Sequence, residues 1–104
     1  MAAKKYPVKI TVFRKFDLKD IDDYVEGGCP AVQEGQEFIV GIDGKMPEGF
    51  CTWAWSDLWT PIITLRFGGN FTYSKTPGRY WGCCTDGRYP VVFRLDRIED
   101  EVVS

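Results

Sequence analysis

The chain has 104 residues, of which 44% are hydrophobic and 27% charged, as is ordinary for a single globular domain. Its formal net charge of −2 lacks the basic excess that marks proteins binding nucleic acid or anionic membranes. No apolar stretch approaches the roughly 20 residues that span a bilayer. We therefore expect one domain, 1–104, with frayed ends at 1–6 and 99–104 and neither a nucleic-acid nor a membrane partner.

The first residues argue against export. Lys4 and Lys5 are followed by Tyr6 and Pro7, not by the apolar run of a signal peptide. We therefore expect a cytoplasmic protein, and thiols in that compartment stay reduced.

The first half of the chain predicts two strands separated by a short helix. Alternating apolar residues predict a strand over Val8–Phe13. Asp17 is a good N-cap for a helix that presents Leu18, Ile21 and Val25 on one face, with Gly27 at its end. A second strand is expected over Gln36–Ile42.

A longer helix is predicted over Thr52–Phe67, with Thr52 as its cap. Pro61 falls inside this helix, and because proline lacks an amide donor we expect a kink or a restart at Thr60. The stripe that should face a sheet comprises Leu58, Ile62 and Leu65.

The end of the chain predicts a hairpin. Strands are expected over Arg79–Cys84 and Val91–Ile98, joined by a tight Asp-Gly turn at Thr85–Arg88. The order β-α-β-α-β-β indicates one α+β domain with a mostly antiparallel sheet and one long helix packed on it. We expect the hairpin to pair with Val8–Phe13.

Thiols are the chemically distinctive groups, because the chain has four cysteines and no histidine. One hypothesis is a soft-metal site for zinc or iron, although the cysteine spacing lacks the usual Cys-x2–4-Cys knuckle. Its ligands would be Cys29, Cys51, Cys83 and Cys84. The plainer alternative is that free cysteines behave as small buried hydrophobic residues.

A nucleophilic or redox thiol is the second hypothesis. Cys51 comes just before a predicted helix, whose positive end stabilises a thiolate. Arg88 lies across the predicted turn from Cys84 and would stabilise that thiolate, while Asp86 would position it or take its proton. The candidate catalytic residues are Cys51, Cys83, Cys84, Asp86 and Arg88. We expect Cys51, Cys83 and Cys84 to line one pocket.

The aromatic content, 15% of the residues, suggests a further role. Trp53, Trp55 and Trp59 lie on one predicted helix and cannot all face the core. We expect a homo-oligomer with Trp53 or Trp59 at its interface. The alternative is a small-molecule pocket closed by the 71–80 loop, with Asp57, Asp86, Arg66 and Arg88 as its polar groups.

The segments 47–55 (PEGFCTWAW), 67–71 (FGGNF) and 83–87 (CCTDG) together resemble a family of small conserved proteins, found mainly in anaerobic bacteria and archaea, that has no assigned function. The likeness extends over nearly the whole chain, with Pro61 as a departure. It implies that oxygen-sensitive thiol or iron chemistry would be tolerated. The shared pattern includes Cys29, Cys51, Cys83, Cys84, Asp86 and Gly87.

Two classes of function stay open on the sequence. The chain is either a thiol-site protein that binds a soft metal or does redox or nucleophilic work, or a non-catalytic homo-oligomeric binding or accessory module. The concentration of Cys-Cys, Asp and Arg within residues 83–88 favours the first.

Overall fold

The structure, a computed structural model, describes residues 4–22 and 26–99. Its elements are four strands and one helix. The strands are β1 (Val8–Lys15), β2 (Glu37–Val40), β3 (Arg79–Cys83) and β4 (Val91–Arg97), and helix α1 (Thr52–Arg66) lies between β2 and β3 along the chain. The expected α+β class, with an antiparallel sheet and one long helix, is confirmed.

The strands form one sheet in the order β2-β1-β4-β3, and every neighbouring pair is antiparallel. The predicted pairing of the hairpin with the first strand is confirmed, since Ile10 lies opposite Leu95 in β4. The β1–β4 register shifts between Val12 and Arg14, as at a β-bulge, which adds an unpaired residue to one strand.

One face of the sheet is buried, because alternate residues of a strand point to opposite faces. The inward positions from Val8 to Val12 in β1 and from Val91 to Leu95 in β4 are apolar, and the positions between them are polar or charged except for Val92. The strand residues of the core are Val8, Ile10, Val12, Phe38, Val40, Val91, Phe93 and Leu95.

Helix α1 covers this inner face with the predicted stripe: Leu58 is 1% exposed, and Ile62 and Leu65 are fully buried. The closest approach is at Gly82 of β3, where an added Cβ would lie 2.5 Å from Leu58 Cδ2. Strand β3 can therefore pack directly on the helix only because position 82 has no side chain.

The ends of α1 differ in detail from the prediction. Its N-cap is Cys51, not Thr52, and the Cys51 carbonyl accepts the Trp55 amide N–H (2.9 Å). Pro61 is buried inside one continuous helix, so the restart at Thr60 is wrong. The core contacts of Pro61 and Ile62 outweigh the loss of one backbone donor.

The predicted first helix does not form in the described part of its range. Residues 16–22 and 26–28 are turns, bends or irregular backbone, and residues 23–25, including Val25, lie outside the described residues. Long-range hydrogen bonds tie the start of this segment to a distant part of the chain. The amides of Phe16 and Leu18 donate to the carbonyls of Pro90 (2.9 Å) and Arg88 (3.2 Å), which keeps this segment alongside the loop before β4.

The connection between β3 and β4 is longer than the predicted tight turn. It spans residues 84–90, and Gly87 does not have the positive φ that a type I′ Asp-Gly turn requires. Two local interactions replace that turn. The Asp86 carboxylate accepts the Arg88 amide N–H (2.9 Å), and the Thr85 amide donates to Asp57 of α1 (2.8 Å).

The chain entering β1 is fastened to the C-terminal end of α1. The Tyr6 amide donates to the Arg66 carbonyl (2.8 Å), and the buried Arg66 guanidinium donates to the Ile42 carbonyl. The frayed ends expected at 1–6 and 99–104 fall largely on residues 1–3 and 100–104, outside the described residues. Within 4–22 and 26–99, no helix has the length and apolar character to cross a membrane.

Replacing Leu65 with alanine should lower the free energy of unfolding by about 2–5 kcal/mol, because it leaves a cavity under the sheet. Ser56→Ala on the exposed side of the same helix is the control and should change stability by less than about 0.5 kcal/mol. Urea unfolding measures both. If Leu65→Ala lowers the free energy of unfolding by less than about 2 kcal/mol, the helix does not pack on the sheet through this stripe.

Candidate thiol site

Cys29, Cys51 and Cys84 line one cavity of about 40 Å³. They come from three separate segments: the loop after β1, the N-cap of α1 and the residue following β3. Asp86 is the single charged residue in the lining. The remaining walls are the side chains of Val32, Trp53, Ala54, Val91 and Phe93.

Cys51 is placed by the start of α1. Its extended backbone (φ −71°, ψ 124°) makes it the N-cap, and its side chain does not cap the helix. The first turn carries no acidic residue, so no carboxylate there offsets the positive end of the helix dipole.

Cys84 is held by reciprocal contacts with the start of β4. Its amide donates to the Val91 carbonyl (3.1 Å), and its sulfur accepts the Val91 amide N–H (3.3 Å). These bonds fix the direction of the thiol. Strand alternation also places position 84 on the same side as Gly82, which faces α1.

Cys29 is positioned by the glycine that precedes it. Gly28 has a φ of +76°, and a Cβ there would lie 3.2 Å from the Phe16 carbonyl oxygen. Only glycine combines this backbone with so close an approach. The loop is anchored on its other side by Val32, which is 2% exposed and also lines the cavity.

Asp86 lines the cavity, whereas Arg88 lies outside its lining. The Asp86 side chain is 12% exposed, lines the cavity, and has Arg88 Nε at 3.5 Å from its Oδ1. The Arg88 guanidinium also donates to the Tyr89 hydroxyl (3.2 Å) and lies over the Tyr89 ring. Arg88 is not part of the cavity lining, and its effect on the Cys84 thiolate stays a prediction.

Cys83 lies outside the cavity, which corrects the expectation that it shares a pocket with Cys51 and Cys84. It is exposed, and its thiol donates to the Cys84 carbonyl (3.2 Å). Strand geometry explains this, because neighbouring residues point to opposite faces. Partial burial, together with the charges of Cys84 and Asp57, raises the pKa of the Cys83 thiol above its ordinary value.

A hydrogen-bonded latch closes the cavity beside α1. The Trp53 indole N–H donates to the Thr85 hydroxyl oxygen (2.6 Å). That hydroxyl in turn donates to the Asp57 carboxylate (3.1 Å to Oδ2). Since Trp53 is half exposed and forms a cavity wall, the latch holds its ring over the thiols.

Metal binding gains no support from the side-chain placement. In residues 4–22 and 26–99 no three cysteine, aspartate or glutamate side chains are grouped so that they could hold a metal ion. The ligand set Cys29, Cys51, Cys83 and Cys84 is divided between the cavity and the opposite side of β3. Binding of zinc or iron therefore stays a prediction that elemental analysis can test.

The sequence analysis did not predict that Asp57 lies beside the thiol cavity. Asp57 was expected in a pocket closed by the 71–80 loop, together with Arg66. Asp57 instead binds Thr85 beside the thiol cavity, and Arg66 lies at the far end of α1. Thr85 was missed altogether, since a threonine before an Asp-Gly pair carries no signal beyond turn formation.

Comparison with known proteins identifies no relative: no family model matches the chain, and neither the curated proteins nor the solved structures contain a significant match.

Thr85→Val should loosen the latch, since it removes the hydroxyl that joins Trp53 to Asp57 and keeps the side-chain shape. We expect the thiols of the cavity to react with iodoacetamide about five- to tenfold faster, the value of one hydrogen bond. Site-resolved mass spectrometry of the native protein measures this. Thr72→Val, an exposed threonine of another loop, is the control, and equal rates in both variants would show that the latch does not close the cavity.

Proposed function

We propose that this chain is a thiol-site protein in which Cys51 acts as a nucleophile, with Cys29 and Cys84 as neighbouring thiols. One observation carries the proposal: three segments distant in sequence bring three of the four cysteines to one cavity that also holds a largely buried carboxylate. Cysteines used only as packing need neither a shared cavity nor a charged neighbour.

Cys51 is the first choice for nucleophile because it lines the cavity from the N-terminal end of α1, the end of the helix that attracts anionic groups. Cys84 is held by two backbone contacts with Val91, so it suits a fixed second thiol. Asp86 lines the same cavity as the thiols and would position one of them or take its proton, and Arg88, with its Nε 3.5 Å from Asp86 Oδ1, would partly neutralise the carboxylate.

The size of the cavity limits what reacts there. A volume of about 40 Å³ admits a group of a few heavy atoms, so a substrate would present a small terminal electrophile. With a disulfide as the electrophile, the Cys51 thiolate would attack one sulfur and form a mixed disulfide. The other sulfur would leave as a thiolate and take up a proton. The thiolate of a second cavity cysteine would then attack the Cys51 sulfur, form a disulfide with it and release the bound half of the substrate as a second thiol, so that the substrate is reduced and the two cysteines are oxidised.

Native-state alkylation tests this assignment. At neutral pH we expect Cys51 to react with iodoacetamide faster than Cys83, although Cys83 is the more exposed thiol. The raised pKa of Cys83 keeps that group protonated, so its reaction should accelerate only at alkaline pH. Mass spectrometry of each cysteine-containing peptide gives the separate rates.

Cys51→Ser should remove the fast-reacting thiol, and Cys83→Ser, the matched control, should leave it in place. A native protein in which Cys83 reacts fastest and the three cavity thiols are inert would contradict the proposal.

A second candidate function is that of a homo-oligomeric assembly module. The exposed aromatic side chains on the outer face of the sheet favour it. Phe13 and Trp81 meet edge to face there (ring centroids 4.8 Å), with 43% and 47% of their side chains exposed. Of the two tryptophans expected at an interface, Trp53 is half exposed, and Trp59 packs on Trp55 (5.2 Å) and partly against the core. Exposed aromatic pairs of this kind are typical of interface centres.

If this candidate is correct, light scattering at micromolar concentration should return a multiple of 11.9 kDa. Trp81→Gln should then give the monomer mass, because it removes the larger ring of the pair. Tyr73→Gln, which changes an exposed aromatic of a neighbouring loop, should not. A wild-type mass of 11.9 kDa would exclude the closed oligomer.

A further inference from the structure

The outer face of the sheet carries a groove that the thiol site does not use. Its volume is about 650 Å³, within the range of small-molecule sites. The groove lies at the end of the sheet where β1, β3 and β4 place Lys9, Arg79 and Asp96 in one cross-strand row. Its lining consists of Lys9, Ile39, Arg79, Arg94, Asp96, Arg97 and Ile98.

One carboxylate orients two arginines in this groove. Asp96 Oδ1 accepts the Nε–H of Arg79 (2.6 Å), and Asp96 Oδ2 accepts the Nε–H of Arg94 (2.8 Å). Across the part of the chain that the structure describes, these are the only hydrogen bonds that the two guanidinium groups donate to protein atoms. Their terminal NH₂ groups are therefore available to a ligand.

The stability of the sheet does not require two arginines beside Asp96. One arginine would balance Asp96, and partly exposed ion pairs contribute little to stability; here the side chains of Arg79 and Arg94 are 32% and 28% exposed. Arg97 shows the contrast, because its guanidinium donates to the Gly69 carbonyl (2.6 Å) and to the side chains of Asn70 and Glu99. Arg97 is a structural arginine, whereas Arg79 and Arg94 keep unused donors.

We propose that this groove binds a phosphate group of a small phosphorylated ligand. Two guanidinium forks held in fixed positions match a group with several oxygens, whereas a carboxylate is matched by one fork. The charges fit as well, since Arg79, Arg94 and Asp96 sum to +1. Lys9 adds a further positive charge that Glu37 partly offsets at 3.6 Å.

In this arrangement Glu37 weakens phosphate binding in the groove. Its side chain is 54% exposed and reaches Lys9 from the edge strand β2. Removing its charge would release Lys9 to the phosphate. Neutralising Glu37 also raises the positive potential of the groove, so phosphate should bind more tightly in a variant that stays folded.

The test is a titration of the full chain with inorganic phosphate, followed by NMR of the arginine Nε–H and backbone amide signals. We expect saturable shifts at Arg79 and Arg94 at about millimolar phosphate. Arg94→Gln and Arg79→Lys should each weaken binding about tenfold, the second because it keeps the charge and loses the fork. Glu37→Gln should strengthen binding about threefold, a gain that misfolding cannot produce.

Lys45→Gln, which removes an exposed charge in another loop, should leave binding unchanged. Acetate, titrated in parallel, should bind at least tenfold more weakly than phosphate. The proposal is overturned if the shifts do not saturate, if acetate binds as well as phosphate, or if Lys45→Gln loses as much affinity as Arg94→Gln.

Discussion

The contact between helix α1 and the inner face of the sheet decides where the functional groups lie. Leu58 packs against Gly82 so closely that a Cβ at 82 would lie 2.5 Å away, and this approach brings the first turns of α1 beside the residues that follow β3. Asp57 can then bind Thr85 (2.8 Å), and Cys51 and Cys84 share a cavity. A larger residue at position 82 would move β3 outward and separate all of these groups, which is why we regard this packing, and not any single hydrogen bond, as the basis of the site.

Strand alternation divides the chemistry of the molecule between two faces. Cys84 points inward to the cavity, and its neighbour Cys83 lies outside it, so adjacent cysteines in sequence have separate environments. The same rule places Arg79 and Arg94 on the outer face of the sheet, away from the helix. The proposed thiol reaction on the inner side and the proposed anion binding on the outer side can therefore be altered by independent mutations. Each proposal can then fail without the other.

The sequence predicted those parts of the fold that depend on local periodicity. Strand β1, helix α1 and strand β4 all have strong apolar patterns, and each was placed within a few residues of its observed bounds. The helix expected after Asp17 does not form in the described residues, where Phe16 and Leu18 give their amides to Pro90 and Arg88, partners 74 and 70 positions along the chain that no local pattern reveals. The expectation that Cys83 lines the cavity was wrong, because strand alternation places it opposite Cys84. The Trp53–Thr85–Asp57 latch could not be predicted without knowledge of how α1 docks.

The central claim is that Cys29, Cys51 and Cys84 surround one cavity from which Cys83 is excluded. The most direct measurement is a set of proton–proton NOEs from the cysteine Hβ atoms in the reduced, native protein. We predict that the Hβ protons of the three cavity cysteines show NOEs to the side chains of the shared walls, Val32, Val91 and Phe93, and that those of Cys83 do not. NOEs from Cys83 to these walls, or their absence for any two of the other three cysteines, would contradict the account.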